Sequence, residues 1–236
     1  MRAWRLFSWG VCLFLLAACA RDPVTGAVSL NFYSDAQEIQ LGAEYHPQIV
    51  KEYGEYDSPA LLSYVQGIVN RLGDVSHRPN LNYPVTLLDT PEINAFALPG
   101  GHVYVCRGLL AYLNSEAELA GVLGHEIGHV NAKHGVEQMS QSSGFNLGIT
   151  LASLFLFQGD ERRQKTAQTL GSTASNIIML SYSREDEMEA DRLGLEYEHQ
   201  AGFSPLGVGL VMRMFERLGG ASGQTPAMLS THPASD

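Results

Sequence analysis

His125-Glu126-Ile127-Gly128-His129 sets two imidazoles four residues apart with a carboxylate between them. On a helix, positions four apart share a face, so both imidazoles can bind one ion while Glu126, a step round, points at a water on it. That set suits hydrolysis. A zinc ion acidifies the water and polarises a carbonyl, and the carboxylate takes a proton and returns it to the leaving amine. The plain alternative is two helical histidines with no metal, and three glycines weigh against it. Gly121, Gly124 and Gly128 fall in the same stretch, each costing a helix interior about 1 kcal/mol relative to alanine. Close approach of another backbone accounts for them; a loose, flexible helix is the competing reading.

Two histidines leave zinc one protein ligand short of a usual catalytic site. A Gly and a His completing H-E-x-x-H-x-x-G-x-x-H would supply it, but those positions hold Ala132 and Gly135. His134 is one residue out of register; five beyond His129 it turns away from the metal face and reads as an ordinary exposed histidine. Glu187-Met188-Glu189-Ala190-Asp191 is the alternative. It offers Glu187 to the metal and Asp191, one turn on, to accept a hydrogen bond from a ligand imidazole and fix its tautomer. Such a pair is common in an acidic stretch, and it gains weight only when coupled to the first motif.

The elements that must position these groups follow from the pattern. Ser115 with Glu118 three residues later is a capping box, so the metal helix starts near Glu116 and runs to about Gln138. Ahead of it, Tyr83 to Leu88, Ile93 to Leu98 and His102 to Cys106 read as strands, the last two joined by the turn Pro99-Gly100-Gly101. Two helices cover the core. One starts at Ser34 or Asp35, with Ala36, Ile39, Leu41, Ala43 and Tyr45 as its apolar residues and Pro47 as a point of interruption. The other follows Ser58-Pro59 and turns Leu61, Leu62, Val65, Ile68, Val69 and Leu72 inward. The apolar run Phe145 to Phe157 is too short to span a bilayer; it reads as a core helix, with a lid or membrane-contact hairpin as the alternative. Further helices are expected from about Gln164 to Tyr182, Glu185 to Ala201 and Leu206 to Leu218.

With 236 residues, 45% hydrophobic and 17% charged, the chain can bury one good core. Residues 1–18 stand apart: Arg2 and Arg5 precede an apolar run from Leu6 to Ala18, the layout of a secretory leader. Leu16-Ala17-Ala18-Cys19 resembles the lipobox of bacterial lipoproteins, in which cleavage before the cysteine leaves it to carry lipid; a leader with an incidental cysteine is the alternative. Residues 19–34 then read as a flexible tether and 35–236 as the folded domain. Cys106 is the one cysteine left in that domain, so no disulfide framework forms. A net charge of -10, more negative still without Arg2 and Arg5, disfavours nucleic acid as a partner. No Lys/Arg cluster offers itself to an anionic membrane surface, which leaves the lipid as the attachment.

Leu123-Gly124-His125-Glu126-Ile127-Gly128-His129, together with Ser183-Arg184-Glu185-Asp186-Glu187-Met188-Glu189-Ala190-Asp191, resembles the gluzincin peptidases related to HtpX, BepA and the CAAX prenyl protease. The similarity runs over roughly residues 36 to 236 and is nearest to envelope quality-control members of the BepA kind. It implies an α+β zincin, mostly helical with a small sheet, holding one Zn2+ by His125, His129 and Glu187, with Glu126 as base and Asp191 behind a ligand. It also implies that Asn94-Ala95-Phe96 offers its backbone to an extended substrate, and that Thr231-His232-Pro233 brings His232 to the open position of the zinc as a plug.

The implied function is a metalloendopeptidase acting on misfolded or misassembled cell-envelope proteins. It would be lipid-anchored and periplasm-facing, with Ala20 after Cys19 suggesting outer-membrane delivery by analogy with Gram-negative sorting. The rival is a latent metal-bearing chaperone or assembly factor working with outer-membrane assembly machinery; a purely structural zinc domain is a third reading. The chain stops three residues after Pro233, where relatives continue, so a further C-terminal repeat domain is an expectation.

Overall fold

In the computed structural model the described residues are 19–31, 33–141 and 182–222, with Met228 and His232. They belong to two compact units. One takes in Met1–Asp22, Gly26–Ser34 and Gly135–Leu180, the other Pro23–Thr25, Asp35–His134 and Ser181–Asp236. The leader 1–18 and the apolar run Phe145 to Phe157, with the helix expected from Gln164, lie outside the described residues. Cys19–Arg21 (β1) pairs antiparallel with Val28–Leu30 (β2). Residues 19–34 therefore hold a hairpin where their composition suggests only a tether. Among the described residues no helix is long and apolar enough to cross a membrane.

The second unit is built around one mixed sheet. Val85–Leu88 (β3) runs parallel to Val103–Cys106 (β5), and Ala95–Ala97 (β4) runs antiparallel to it, giving the order β3-β5-β4. β4 is thus an edge. The turn between β4 and β5 needs glycine at both inner positions: Gly100 and Gly101 have φ of +83° and +99°, a region closed to most side chains. Helices among the described residues include Asp35–Tyr53 (α1), Pro59–Asp74 (α2), the short Arg107–Leu110 (α3), Glu116–Asn131 (α4), Arg184–Gln200 (α5) and Leu206–Ser222 (α6). The architecture is α+β and mostly helical, as the resemblance implies.

Two helices depart from expectation in instructive ways. α1 passes through Pro47 unbroken and buries Glu38, Gly42 and Ile49, while Ile39 is 47% exposed and Ala36 and Ala43 face solvent. Its inner face is chosen by partners, not by apolarity: Glu38 meets Lys133 and Arg78. A side chain at Gly42 would press on His102 Nδ1 at 3.0 Å. α2 buries Val65, Ile68, Val69 and Leu72 as its spacing predicts, with Leu62 left largely outside. These side chains join Leu87 and Val105 of the sheet, Leu123 and Ile127 of α4, and Tyr197 and Phe215 behind them, in one core. Each of these buried apolar side chains contributes roughly 1.5–3 kcal/mol to holding α4 in place.

Candidate metal centre

α4 is the central helix of this unit, and all but two of its residues are buried. Its N-terminus is capped by Ser115, whose side chain accepts from the Glu118 N–H at 3.2 Å. α5 starts with a full capping box. Ser183 Oγ accepts from Asp186 N–H and Asp186 Oδ2 accepts from Ser183 N–H. The glycines explain how the two helices meet. A methyl group at Gly124 would lie 3.1 Å from the Gly194 carbonyl oxygen, one at Gly128 would lie 2.8 Å from that of Ala190, and one at Gly194 would lie 2.8 Å from the His125 nitrogen. Backbone therefore packs on backbone, and this brings the first turns of α5 within reach of His125 and His129.

Four buried side chains, His125, His129, Glu187 and His232, converge so that one ligand atom from each could hold a metal ion. His125 Nε2 lies 3.0 Å from His129 Nε2, 3.2 Å from His232 Nδ1 and 3.4 Å from Glu187 Oε2. Glu187 Oε1 is 3.0 Å from His232 Nδ1 and 3.5 Å from His129 Nε2. Zinc bonds of about 2.0–2.1 Å in a tetrahedron place neighbouring donors roughly 3.3 Å apart. The observed spacings bracket that edge, and two nitrogens with one carboxylate are the donor chemistry zinc takes. Glu126 is buried beside them; its Oε1 has no hydrogen-bond partner and faces His232 Nε2 at 3.6 Å.

The charges of this cluster are set by opposing forces. Burial raises the Glu126 pKa; electrostatic interaction with the His232 and His125 imidazoles opposes it, Glu187 adds to it, and a backbone hydrogen bond with Ala97 also lowers it. Burial works against charge on His125 too, but hydrogen bonds with Asp191 and Glu187 and the nearby carboxylates outweigh it and hold His125 up to about 10. His129 is pushed well below its ordinary value, first by burial and then by its electrostatic interaction with the neighbouring imidazoles. Glu187 is lowered: burial would raise it, but its bonds to His125 and His232 win. A cation would compete with the proton for His125 Nε2, since ligation requires the bare nitrogen.

Asp191 and His134 stand behind the cluster, and His134 departs from expectation. Asp191 Oδ1 lies 2.9 Å from His125 Nδ1. His134 is not exposed. It is 4% exposed, and its Nδ1 sits 2.9 Å from His129 Nδ1. The prediction assumed one continuous helix to Gln138, whereas α4 ends at Asn131 and Lys133 takes φ +60° before helix resumes at 134. That conformation costs a side-chain-bearing residue roughly 1–2 kcal/mol, offset here by ion pairs. Lys133 Nζ lies 2.6 Å from both Asp35 Oδ1 and Glu38 Oε1.

Tyr182, which no sequence motif marks, also joins the site. Its ring stacks on His129 with centroids 4.1 Å apart, and burial raises its pKa. Its position directly before the Ser183 cap was the available signal. Of Asn94-Ala95-Phe96, Ala95 and Phe96 lie in β4 and Asn94 directly precedes it. Cys106 N–H donates to Asn94 O and Leu98 N–H to His102 O, so by alternation the amides of Ala95 and Ala97 face the free side of β4.

A model described as Peptidase family M48 matches residues 59–236. The chain belongs to peptidase family M48. Among family relatives it is 30% identical to the Beta-barrel assembly-enhancing protease of Escherichia coli (strain K12), over 89% of this chain and 44% of the relative. It is also 30% identical to the Mitochondrial metalloendopeptidase OMA1 of Schizosaccharomyces pombe, over 88% of this chain and 59% of the relative. Metalloprotease YcaL of Escherichia coli is 31% identical over 71% and 63%. The chain thus spans about half the length of the first two relatives. Membership agrees with the geometry: a metallopeptidase family, and a buried His/Glu group able to take one ion.

Proposed function

We propose that this M48 protein is a zinc-dependent endopeptidase in which His125, His129 and Glu187 hold the ion, Glu126 moves the protons and Asp191 orients His125. The observation that carries the proposal is the convergence of the buried donors with the unpartnered Oε1 of Glu126 beside them. When bound, zinc acidifies a water and polarises the scissile carbonyl. With the ion held by His125, His129 and Glu187, Glu126 would accept a proton at Oε1 and deliver it to the leaving amine. Its burial-raised pKa suits a group that must hold the proton between the two transfers. An extended substrate lies along the free edge of β4, where Ala95 turns backbone groups outward, so that pairing depends little on side-chain identity. Asn94 and Phe96 flank that position, and Ala97 ties the strand to Glu126.

The substrates in this reading are misfolded or misassembled proteins of the bacterial cell envelope, with the protein held at the membrane, facing the periplasm, by lipid on Cys19. That bacterial relatives are beta-barrel assembly-enhancing proteases supports the setting. A second reading is favoured by His232. Its Nδ1 takes a fourth donor position, and Met228 N–H lies 3.4 Å from Ile93 O at the head of β4. Four protein ligands close a zinc site, so this contact would keep the peptidase silent while an assembly-factor role continued. One experiment addresses both: metal analysis and casein cleavage by the pure full chain. Glu126→Gln should retain zinc and lose cleavage, and persistent cleavage would sink the assignment of the base. His232→Ala should raise cleavage, and an unchanged rate would remove the plug.

A further inference from the structure

We propose that His134 is a positioning residue for the metal. Held in its Nε2–H tautomer, it locks the His129 imidazole with Nε2 toward the ion and passes on the negative charge of Glu189 and Asp186. The proposal rests on the metal-site reading above.

On an uninterrupted helix a residue five beyond His129 stands about 140° away round the axis, and His134 could not reach it. The left-handed turn at Lys133 changes that. The turn is held from outside: Lys133 Nζ pairs with Asp35 and Glu38 of α1. Arg78 Nη1 joins Glu38 Oε2 at 2.9 Å to the Val130 carbonyl at 3.0 Å. The end of α4 is fixed on both sides of the turn, and the His134 ring folds back, its centroid 5.0 Å from that of His129.

The proton positions follow from counting donors. Two imidazole nitrogens 2.9 Å apart need one proton between them. His129 Nε2 faces the other donors, so to ligate it must be bare and the ring proton must sit on Nδ1. That N–H donates to His134 Nδ1, which must then carry a lone pair. The proton of neutral His134 is left on Nε2. This is the atom that faces Glu189 Oε2 at 3.5 Å and Asp186 Oδ1 at 3.7 Å, distances suited to charge attraction and longer than a direct hydrogen bond. The reverse assignment would set a ring N–H of His129 among the metal donors and a bare His134 nitrogen toward two carboxylates. The two ligand imidazoles thus gain support by different routes: His125 directly from Asp191, and His129 through a second imidazole. Groups that orient a metal ligand in this way raise affinity by about 10–100-fold.

The test is the zinc dissociation constant of the full chain, measured by chelator competition. His134→Ala should bind zinc about 10–100-fold more weakly. His134→Asn, whose amide oxygen can accept where Nδ1 does, should recover most of that loss, and Asp186→Asn with Glu189→Gln should give a smaller one. In the zinc-loaded wild type, a two-bond proton–nitrogen correlation should show His134 protonated at Nε2 and bare at Nδ1. A folded His134→Ala protein within twofold of wild type, an Asn variant no better than Ala, or the opposite tautomer overturns the proposal. If His134→Ala does not fold, the tautomer and the Asn variant still decide. Wild type that binds no zinc refutes the metal site itself. Binding lost in His125→Ala but kept in His134→Ala refutes the relay alone.

Discussion

Glu187 and Glu198 stand about three turns apart on α5 and so share a face. Both are buried, at 3% and 0% exposure. Burial pushes each carboxyl toward its neutral form, yet the outcomes diverge. Glu187, bonded to His125 and His232, is lowered. Glu198 lies beside Gly121 with no hydrogen-bond partner for either oxygen and is pushed up to about 7. Depth is equal, and the neighbours set the sign. A helix face can therefore carry one carboxylate that stays charged, ready for a cation, and another that holds its proton up to about pH 7 inside the core.

The comparison breaks most visibly at its charged end. Glu187→Gln keeps the shape and removes the charge, so zinc affinity should fall on the order of 100-fold or more and casein cleavage should drop to background. Near-normal zinc retention would mean that the imidazole cluster alone holds the ion.

At the neutral end the effect is on stability and has a defined sign. With a folded pKa of about 7 against an ordinary 4.5, Glu198 keeps a proton that the unfolded chain releases. Its favourable contribution is full below pH 4.5, falls as pH rises toward 7 and is gone above it. At about 1.4 kcal/mol per unit the loss is roughly 3 kcal/mol, an upper figure. Glu198→Gln should remove that slope and raise the melting temperature relative to wild type at pH 8 but not at pH 4.5. Parallel pH profiles for the two proteins would show that Glu198 is solvated after all.

A third change tests whether backbone contact sets the distance between these carboxylates and α4. Gly128→Ala pushes a methyl group against the Ala190 carbonyl and should cost about 1–3 kcal/mol in urea unfolding, with weaker zinc binding because Glu187 moves along with Ala190. The smallest expected effect is at the α5 cap: Ser183→Ala should cost about 1 kcal/mol and leave the Glu198 slope unchanged.

What the sequence made legible was whatever local periodicity determines. The spacing of His125 and His129, the Glu187–Asp191 turn, the need for backbone contact at Gly124 and Gly128, and the Gly100–Gly101 turn all follow from residues close together in the chain. The misreadings share the opposite cause. Lys133 shows no Gly or Pro to mark a helix end, and its left-handed turn is stabilised by Asp35 and Glu38, about a hundred positions away. The inner face of α1 was misjudged because a buried glutamate there is matched by Lys133 and Arg78. The burial of His134 follows from the turn at Lys133, whereas the Ser183–Asp186 capping box is local and legible from its spacing.

The contact of Gly124 with Gly194 has one more consequence. Side chains can swing to suit ions of different size, but main chain packed on main chain cannot readily part, so the span between the α4 histidines and Glu187 resists dilation. Calcium wants six to eight oxygen donors at roughly 2.3–2.6 Å and would need the helices to separate. A small tetrahedral ion at about 2.0–2.1 Å would not. Ion discrimination would then reside in two hydrogen atoms on facing glycines as much as in the ligands themselves.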